Sequence, residues 1–156
     1  MRKTNIFIVL LFAVAIFPGC GKQQNPFGTV YLEGTVTLDG TPIEGVSVTL
    51  IPLDTGEQLS AGGKTDASGK FTVTAGGSPA GSGARPGTYD VTFTKMSIQR
   101  TASYEESKAL YGSGQPPITH LIPQKYNSPK TSGIASITVD KDKRKNKFTF
   151  ELTSKE

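Results

Sequence analysis

The chain has 156 residues, with 17 Lys+Arg against 13 Asp+Glu, one Cys, one His and no Trp. A single cysteine rules out an intramolecular disulfide, and one His with one Cys leaves a zinc site short of ligands. The formal charge of +4 includes Arg2 and Lys3 at the extreme N-terminus; without them 15 cationic residues face 13 anionic ones, a balance that makes no case for nucleic acid.

The N-terminus has the three parts of a secretory signal over residues 1–19. Arg2 and Lys3 are basic, Ile6 to Phe17 are apolar, and Gly19 is the small residue a peptidase requires. The apolar run is short of the roughly 20 residues that a membrane-spanning helix needs, and Pro18 and Gly19 break it. Cys20 stands where the apolar run gives way to "GKQQNP", a place that packing does not explain.

"Phe17-Pro18-Gly19-Cys20" resembles a bacterial lipobox, in which the cysteine becomes the acylated first residue of the mature protein. Gly19 and Cys20 match the pattern; Phe17 stands where Leu is usual and Pro18 where a small or β-branched residue is usual. The resemblance implies that Cys20 carries the lipid anchor, since stable attachment takes at least two acyl chains. Gly21, where inner-membrane retention typically uses Asp, implies outer-membrane sorting in a Gram-negative host. Plain secretion with Cys20 as an ordinary thiol is the alternative.

Residues 20–28 then form the lipidated cysteine and a short tether, and residues 29–153 a single domain large enough for a core. In "TVYLEGTVTLDG", Val30, Leu32, Val36 and Leu38 share one face, and Thr29, Tyr31, Glu33, Thr35 and Thr37 the other, the period of a half-buried strand. Asp39 to Pro42 supply a turn, and Val46, Val48 and Leu50 mark a second strand. "KTDASGKFTVT" reads as a hairpin, with Asp66 bonded to the turn backbone, Gly69 left-handed, and Phe71 and Val73 inward. Ala75 to Gly87 reads as a flexible Gly/Ser-rich loop that contributes nothing to a core.

Tyr89, Val91 and Phe93 give the next strand its inward face. "SYEESKALYG" predicts a short helix, with Ser103 and Glu106 as a capping box and Gly112 closing it. That helix is expected to pack over one end of the sheets through Tyr104, Leu110 and Tyr111. "PQKYNSPKTSG", Pro123 to Gly133, predicts a rigid connection that locks Tyr126 against the domain, with a ligand loop as the other reading. "GIASITVD" and "KFTFEL" are expected to pair, with Phe148, Phe150 and Leu152 alternating and the basic run Lys141 to Lys147 solvating the turn between them. The pattern predicts an all-β fold of seven strands with one short helix, a β-sandwich.

"LEGTVTLDGTPIEGVSVTLIP", "GKTDASGKFTVT" and "PGTYDVTFTK" resemble the carboxypeptidase regulatory-like domain family, and the closing "LIPQKYNSPKTSGIASITVDKDKRKNKFTFEL" resembles the tail of its lipoprotein branch. The resemblance spans Tyr31 to Leu152. It implies a transthyretin-like (prealbumin-like) sandwich and, because the domain does no chemistry beside the catalytic unit of metallocarboxypeptidases, a non-enzymatic role.

The chemical inventory agrees with that expectation. His120, in "ITHLIP", is expected at a strand edge or partly buried, without a second histidine nearby. There is no G-x-S-x-G pattern, and "DASG" has too few carboxylates for an EF-hand. An isopeptide crosslink lacks a lysine in the first strand, and Asn146 falls in the charged turn. No catalytic residue, metal ligand or cofactor is therefore expected. The expected partners are membrane lipid, through acylated Cys20, and an envelope protein, with Tyr104, Tyr111 and Tyr126 as the interaction surface. The alternative is a carbohydrate-binding module using those tyrosines and Tyr31.

Overall fold

The computed structural model describes residues 26–54, 56, 58–98, 103–112 and 117–155. The proposed signal segment, Cys20 and most of the tether lie outside these residues. Among the described residues no helix is long and apolar enough to cross a membrane.

The architecture is all-β. One sheet is built on β1 (Glu33–Leu38), which pairs with β2 (Thr41–Pro42) and β5 (Lys70–Thr72) antiparallel and with β11 (Lys147–Leu152) parallel. The other runs β10 (Ile137–Val139), β7 (Gly87–Thr94), β3 (Ser47–Pro52), β4 (Ala61–Lys64), β6 (Thr74–Ala75), all antiparallel. A separate two-stranded ribbon joins β8 (Met96–Ile98) to β9 (Ile118–His120). Among the described residues there are therefore eleven strands and not seven. The extra four, β2, β6, β8 and β9, are only two or three residues long, below the length at which alternation can be read.

Two expected hairpins are crossings between sheets. The turn Asp66–Gly69 is built as expected: Asp66 Oδ1 accepts from the N–H of Ser68 at 2.8 Å and of Lys70 at 3.0 Å. Gly69 is left-handed at φ +73°, and its carbonyl accepts from Val36 N–H at 2.8 Å. That contact carries the chain onto β1, so β4 stays with β3 while β5 joins the opposite sheet. At the C-terminus β10 pairs with β7 and β11 with β1, so the basic run links two sheets and closes no hairpin.

The inward faces follow the alternation. Leu32, Val36, Val46, Val48, Leu50, Val73, Tyr89, Val91 and Phe93 are all buried. Phe150 sits at the centre, its ring 5.0 Å from Phe93 on the opposite sheet, 6.2 Å from Phe71 and 6.4 Å from Phe148. Gly34 makes room for this cluster: a Cβ there would lie 2.6 Å from the Phe71 ring.

Two expectations about the edges of the core change. Thr29, assigned outward, is buried because the adjoining Val30 bridges to Ala84. The Gly/Ser-rich segment is not a free loop. Ala75 and Ala84 are core residues, and Val30 and Ala84 exchange backbone bonds of 2.8 and 3.1 Å. Gly83 serves close packing, since a Cβ there would collide with Val30 O, whereas Gly76 and Gly77 face open space; composition alone does not separate the two uses.

The helix α1 (Tyr104–Tyr111) forms with Ser103 Oγ accepting from Glu106 N–H at 3.2 Å and Gly112 closing it. It does not pack through its apolar side chains: Tyr104 and Leu110 are each 63% exposed, Tyr111 is half-buried, and Ser107 is the buried residue. At about 100° per residue, Tyr104 and Leu110 fall about 60° to either side of Ser107 and about 120° from one another, so the apolar side chains flank the buried face and do not form one stripe. A second, one-turn helix, α2 (Pro129–Ser132), follows a 3₁₀ turn at Gln124–Asn127.

Replacing Phe150 by Ala is expected to destabilise the fold by about 3–5 kcal/mol, measured by denaturant unfolding. A cost near that of a surface substitution would contradict the placement of this ring between the sheets.

Candidate functional site

A surface concavity with a volume of about 620 Å³ lies on the outer face of the β5–β1–β11 sheet. Alternation alone builds it. Glu33 and Thr35 of β1, Lys70 and Thr72 of β5, and Lys147 and Thr149 of β11 turn outward because their neighbours turn into the core. Tyr31 flanks it, 41% exposed, its hydroxyl donating to Glu33 Oε2 at 3.1 Å. Lys147 Nζ lies 2.8 Å from Glu33 Oε1.

These groups satisfy one another. The Lys147 ammonium, then the Tyr31 hydroxyl, hold the Glu33 carboxyl below its ordinary range; the same contact raises Lys147, and Glu33 raises Tyr31. Asp66 is lowered first by the Ser68 hydroxyl and then by the Lys70 N–H. Each carboxylate is thus kept ionised by a neighbour at the solvent surface, an arrangement suited to recognising polar or charged groups. Among the described residues no group of three or more His, Cys, Asp or Glu is placed to hold a metal ion.

The residues singled out from the sequence lie apart. Tyr104 and Tyr111 share α1, whereas Tyr126 is 4% exposed and belongs to the core. Its hydroxyl accepts from Thr153 N–H at 2.9 Å, and Pro123 and Pro129 bracket the turn that carries it. Tyr126 is therefore an internal anchor and not part of an exposed surface, for a physical reason visible in its bond: it supplies the acceptor that the end of β11 needs. His120 ends β9, exposed, opposite Met96, and makes no side-chain hydrogen bond to a described residue. Cys20 lies outside the described residues.

Sequence reasoning missed Asn146. It sits in the basic run, yet is 1% exposed. Its Oδ1 accepts from Asp140 N–H at 2.8 Å, and its Nδ2 donates to Asp140 O at 2.8 Å and to Tyr31 O at 3.4 Å. The amide closes the crossing from β10 to β11 and ties it to Tyr31, beside the groove and just before β1. The lysines and arginine around it point outward, and Asp140 and Asp142 pair with Lys145 and Arg144 at 3.3 and 2.7 Å. The only signal was that a polar, uncharged residue stands alone among charges.

Comparison with protein-family models, with curated proteins and with solved structures finds no match to this chain.

Asn146→Ala leaves the Asp140 N–H and C=O without their partners, and is expected to cost about 1–3 kcal/mol in denaturant unfolding. Asn146→Asp keeps the acceptor but buries a carboxylate whose second oxygen faces the carbonyls of Asp140 and Tyr31, and is expected to cost at least as much as Asn146→Ala.

Proposed function

We propose that this chain is a lipid-anchored bacterial envelope protein whose non-enzymatic β-sandwich, of the transthyretin-like, carboxypeptidase regulatory-like kind, serves as a structural or protein-interaction module. The acyl chains reside on Cys20, and the domain stands on the periplasmic face of the outer membrane in a Gram-negative host.

The observation that carries this reading is where the tether meets the domain. Arg85 Nε donates to Phe27 O at 2.9 Å, and Val30 is already bridged to Ala84. Only the residues from Gly21 to Pro26 separate Cys20 from that first attachment, a reach of about 25 Å when extended. Acylation at Cys20 thus holds the sandwich against the bilayer surface. The groove chemistry supports recognition over catalysis, because its carboxylates are engaged with Lys147, Tyr31, Ser68 and backbone N–H groups.

Cys20→Ser is expected to abolish incorporation of labelled fatty acid and to leave unprocessed precursor in envelope fractions. A correctly cleaved Cys20→Ser product that still sediments with membranes would mean that a partner, and not acyl chains, holds the protein.

One feature favours a glycan-binding reading as the alternative: Tyr31 offers an exposed ring beside hydroxyls of Thr35, Thr72 and Thr149 and the carboxylate of Glu33. Titration of soluble envelope glycans, followed by tyrosine fluorescence, distinguishes the two. The module reading expects no saturable change. Saturable binding lost in Tyr31→Ala with unaltered unfolding behaviour would replace it by the glycan reading. Tyr126 is unsuited to that test, because its removal disturbs the core.

A further inference from the structure

The free edge of β11 carries a pattern that matches a second copy of itself. Glu33 N–H bonds to Asn146 O at 3.1 Å and Asp39 N–H to Leu152 O at 2.9 Å, in the register Glu33 with Lys147 through Leu38 with Leu152. In a parallel ladder of that register, Phe148, Phe150 and Leu152 aim their N–H and C=O groups at β1, while Lys147, Thr149 and Glu151 aim theirs outward. None of these three residues has another backbone partner among the described residues. Thr153 continues the outward alternation, but the Tyr126 hydroxyl occupies its N–H. The edge is thus closed at one end and open along one short stretch, and open edges template strand addition.

We infer that β11 pairs antiparallel with β11 of a second copy, two-fold symmetric about Thr149. In that register Lys147 faces the partner's Glu151, Thr149 faces the partner's Thr149, and Glu151 faces the partner's Lys147. The outward backbone groups of all three residues meet their counterparts in hydrogen-bonded pairs. Phe148, half-buried in one copy, stands opposite the partner's Phe150 on the inner side. Neighbouring registers fail. Centring on Lys147 or on Glu151 opposes like charges, and sliding toward the C-terminus sets Lys147 against Thr153, whose donor is taken. Sliding toward the N-terminus keeps only Lys147 and Thr149 in the ladder, because Glu151 then faces Lys145 in the 3₁₀ turn Lys143–Lys145, outside the strand. The occupant is selected by charge: the exposed face of this strand reads Lys, Thr, Glu, which is its own complement when reversed. The result is an isologous dimer in which one sheet runs unbroken through both copies.

This goes beyond the anchoring reading and does not rest on it, so either can fail alone. The test is sedimentation velocity of the full chain in detergent over a micromolar concentration series. Wild type is expected to dimerise. Lys147→Glu and Glu151→Lys each put like charges opposite one another twice, and are each expected to raise the dimer Kd about tenfold or more. The double reversal Lys147→Glu/Glu151→Lys is expected to return it close to wild type, although the Lys147–Glu33 ion pair is not restored. Glu151→Lys leaves that ion pair intact, so thermal unfolding of this variant checks that the monomer is unharmed. Thr149→Cys places two thiols on the axis with Cα atoms about 5.5 Å apart, within disulfide reach. Mild oxidation is expected to give a covalent dimer whose bridging peptide maps to position 149. A wild type that stays monomeric, a dimer indifferent to both single reversals, or a bridge that maps away from position 149 would overturn the assignment.

Discussion

The sandwich depends on one aromatic junction. Phe150 lies between Phe93 of the facing sheet and Phe71 and Phe148 of its own, so the last strand is also what fastens the two layers together. The tilted and offset ring geometries at 5.0 to 6.4 Å are those aromatic quadrupoles favour, and they come on top of the burial of large apolar area. The same junction explains Gly34. Any side chain there would occupy the space of the Phe71 ring, so β1 gives up a side chain near its start to let its neighbours meet. A consequence follows for the order of assembly. Parallel pairing of β1 with β11 joins the two ends of the domain and closes most of that domain into one loop, a contact with a large entropy of closure.

Alternation carried the strands and their faces, because it records a local property: which side of a pleat is buried. It carried nothing about which strand stands beside which. Asp66 and Gly69 build the turn that their chemistry announces, yet the turn sends the chain to the other sheet, since Gly69 O bonds Val36 N–H rather than a residue of β4. The same failure recurs at the C-terminus, where two alternating segments joined by a short polar run look like a hairpin and are divided between layers. A crossing and a hairpin use the same residue types; the difference lies in long-range partners that no local window contains.

The candidate site divides in a similar way. The groove's outward residues were each legible as the polar half of an alternating strand, but Tyr31, Glu33 and Lys147 become one cluster only through the parallel register of β1 and β11. Tyr126 shows the opposite case. Its bracketing prolines announced rigidity, and the ring is indeed locked inside, so the same signal that implied order also removed it from the exposed surface. Asn146 was hidden by its neighbours. Charged residues set the polarity of the stretch, and the one amide that has both a donor and an acceptor to give is the one turned inward to bond Asp140 from both sides.

Tyr126 and Asn146 together define how this protein manages the strand that its core requires. β11 must lie at the rim of its sheet, because β1 has only two sides and β5 and β2 share the other. Asn146 fixes where β11 begins by holding Asp140 and reaching Tyr31; Tyr126 fixes where its edge stops by taking the Thr153 N–H. Between them the outward backbone groups are left to water or to a partner, and the outward side chains are Lys, Thr and Glu. Charges on an edge ordinarily discourage pairing, and a run of one sign would do so here against every partner. Opposite signs at the two ends, separated by an uncharged residue, repel the registers centred on either charge and favour the reversed copy centred on Thr149, which turns a device against aggregation into one that selects a single neighbour.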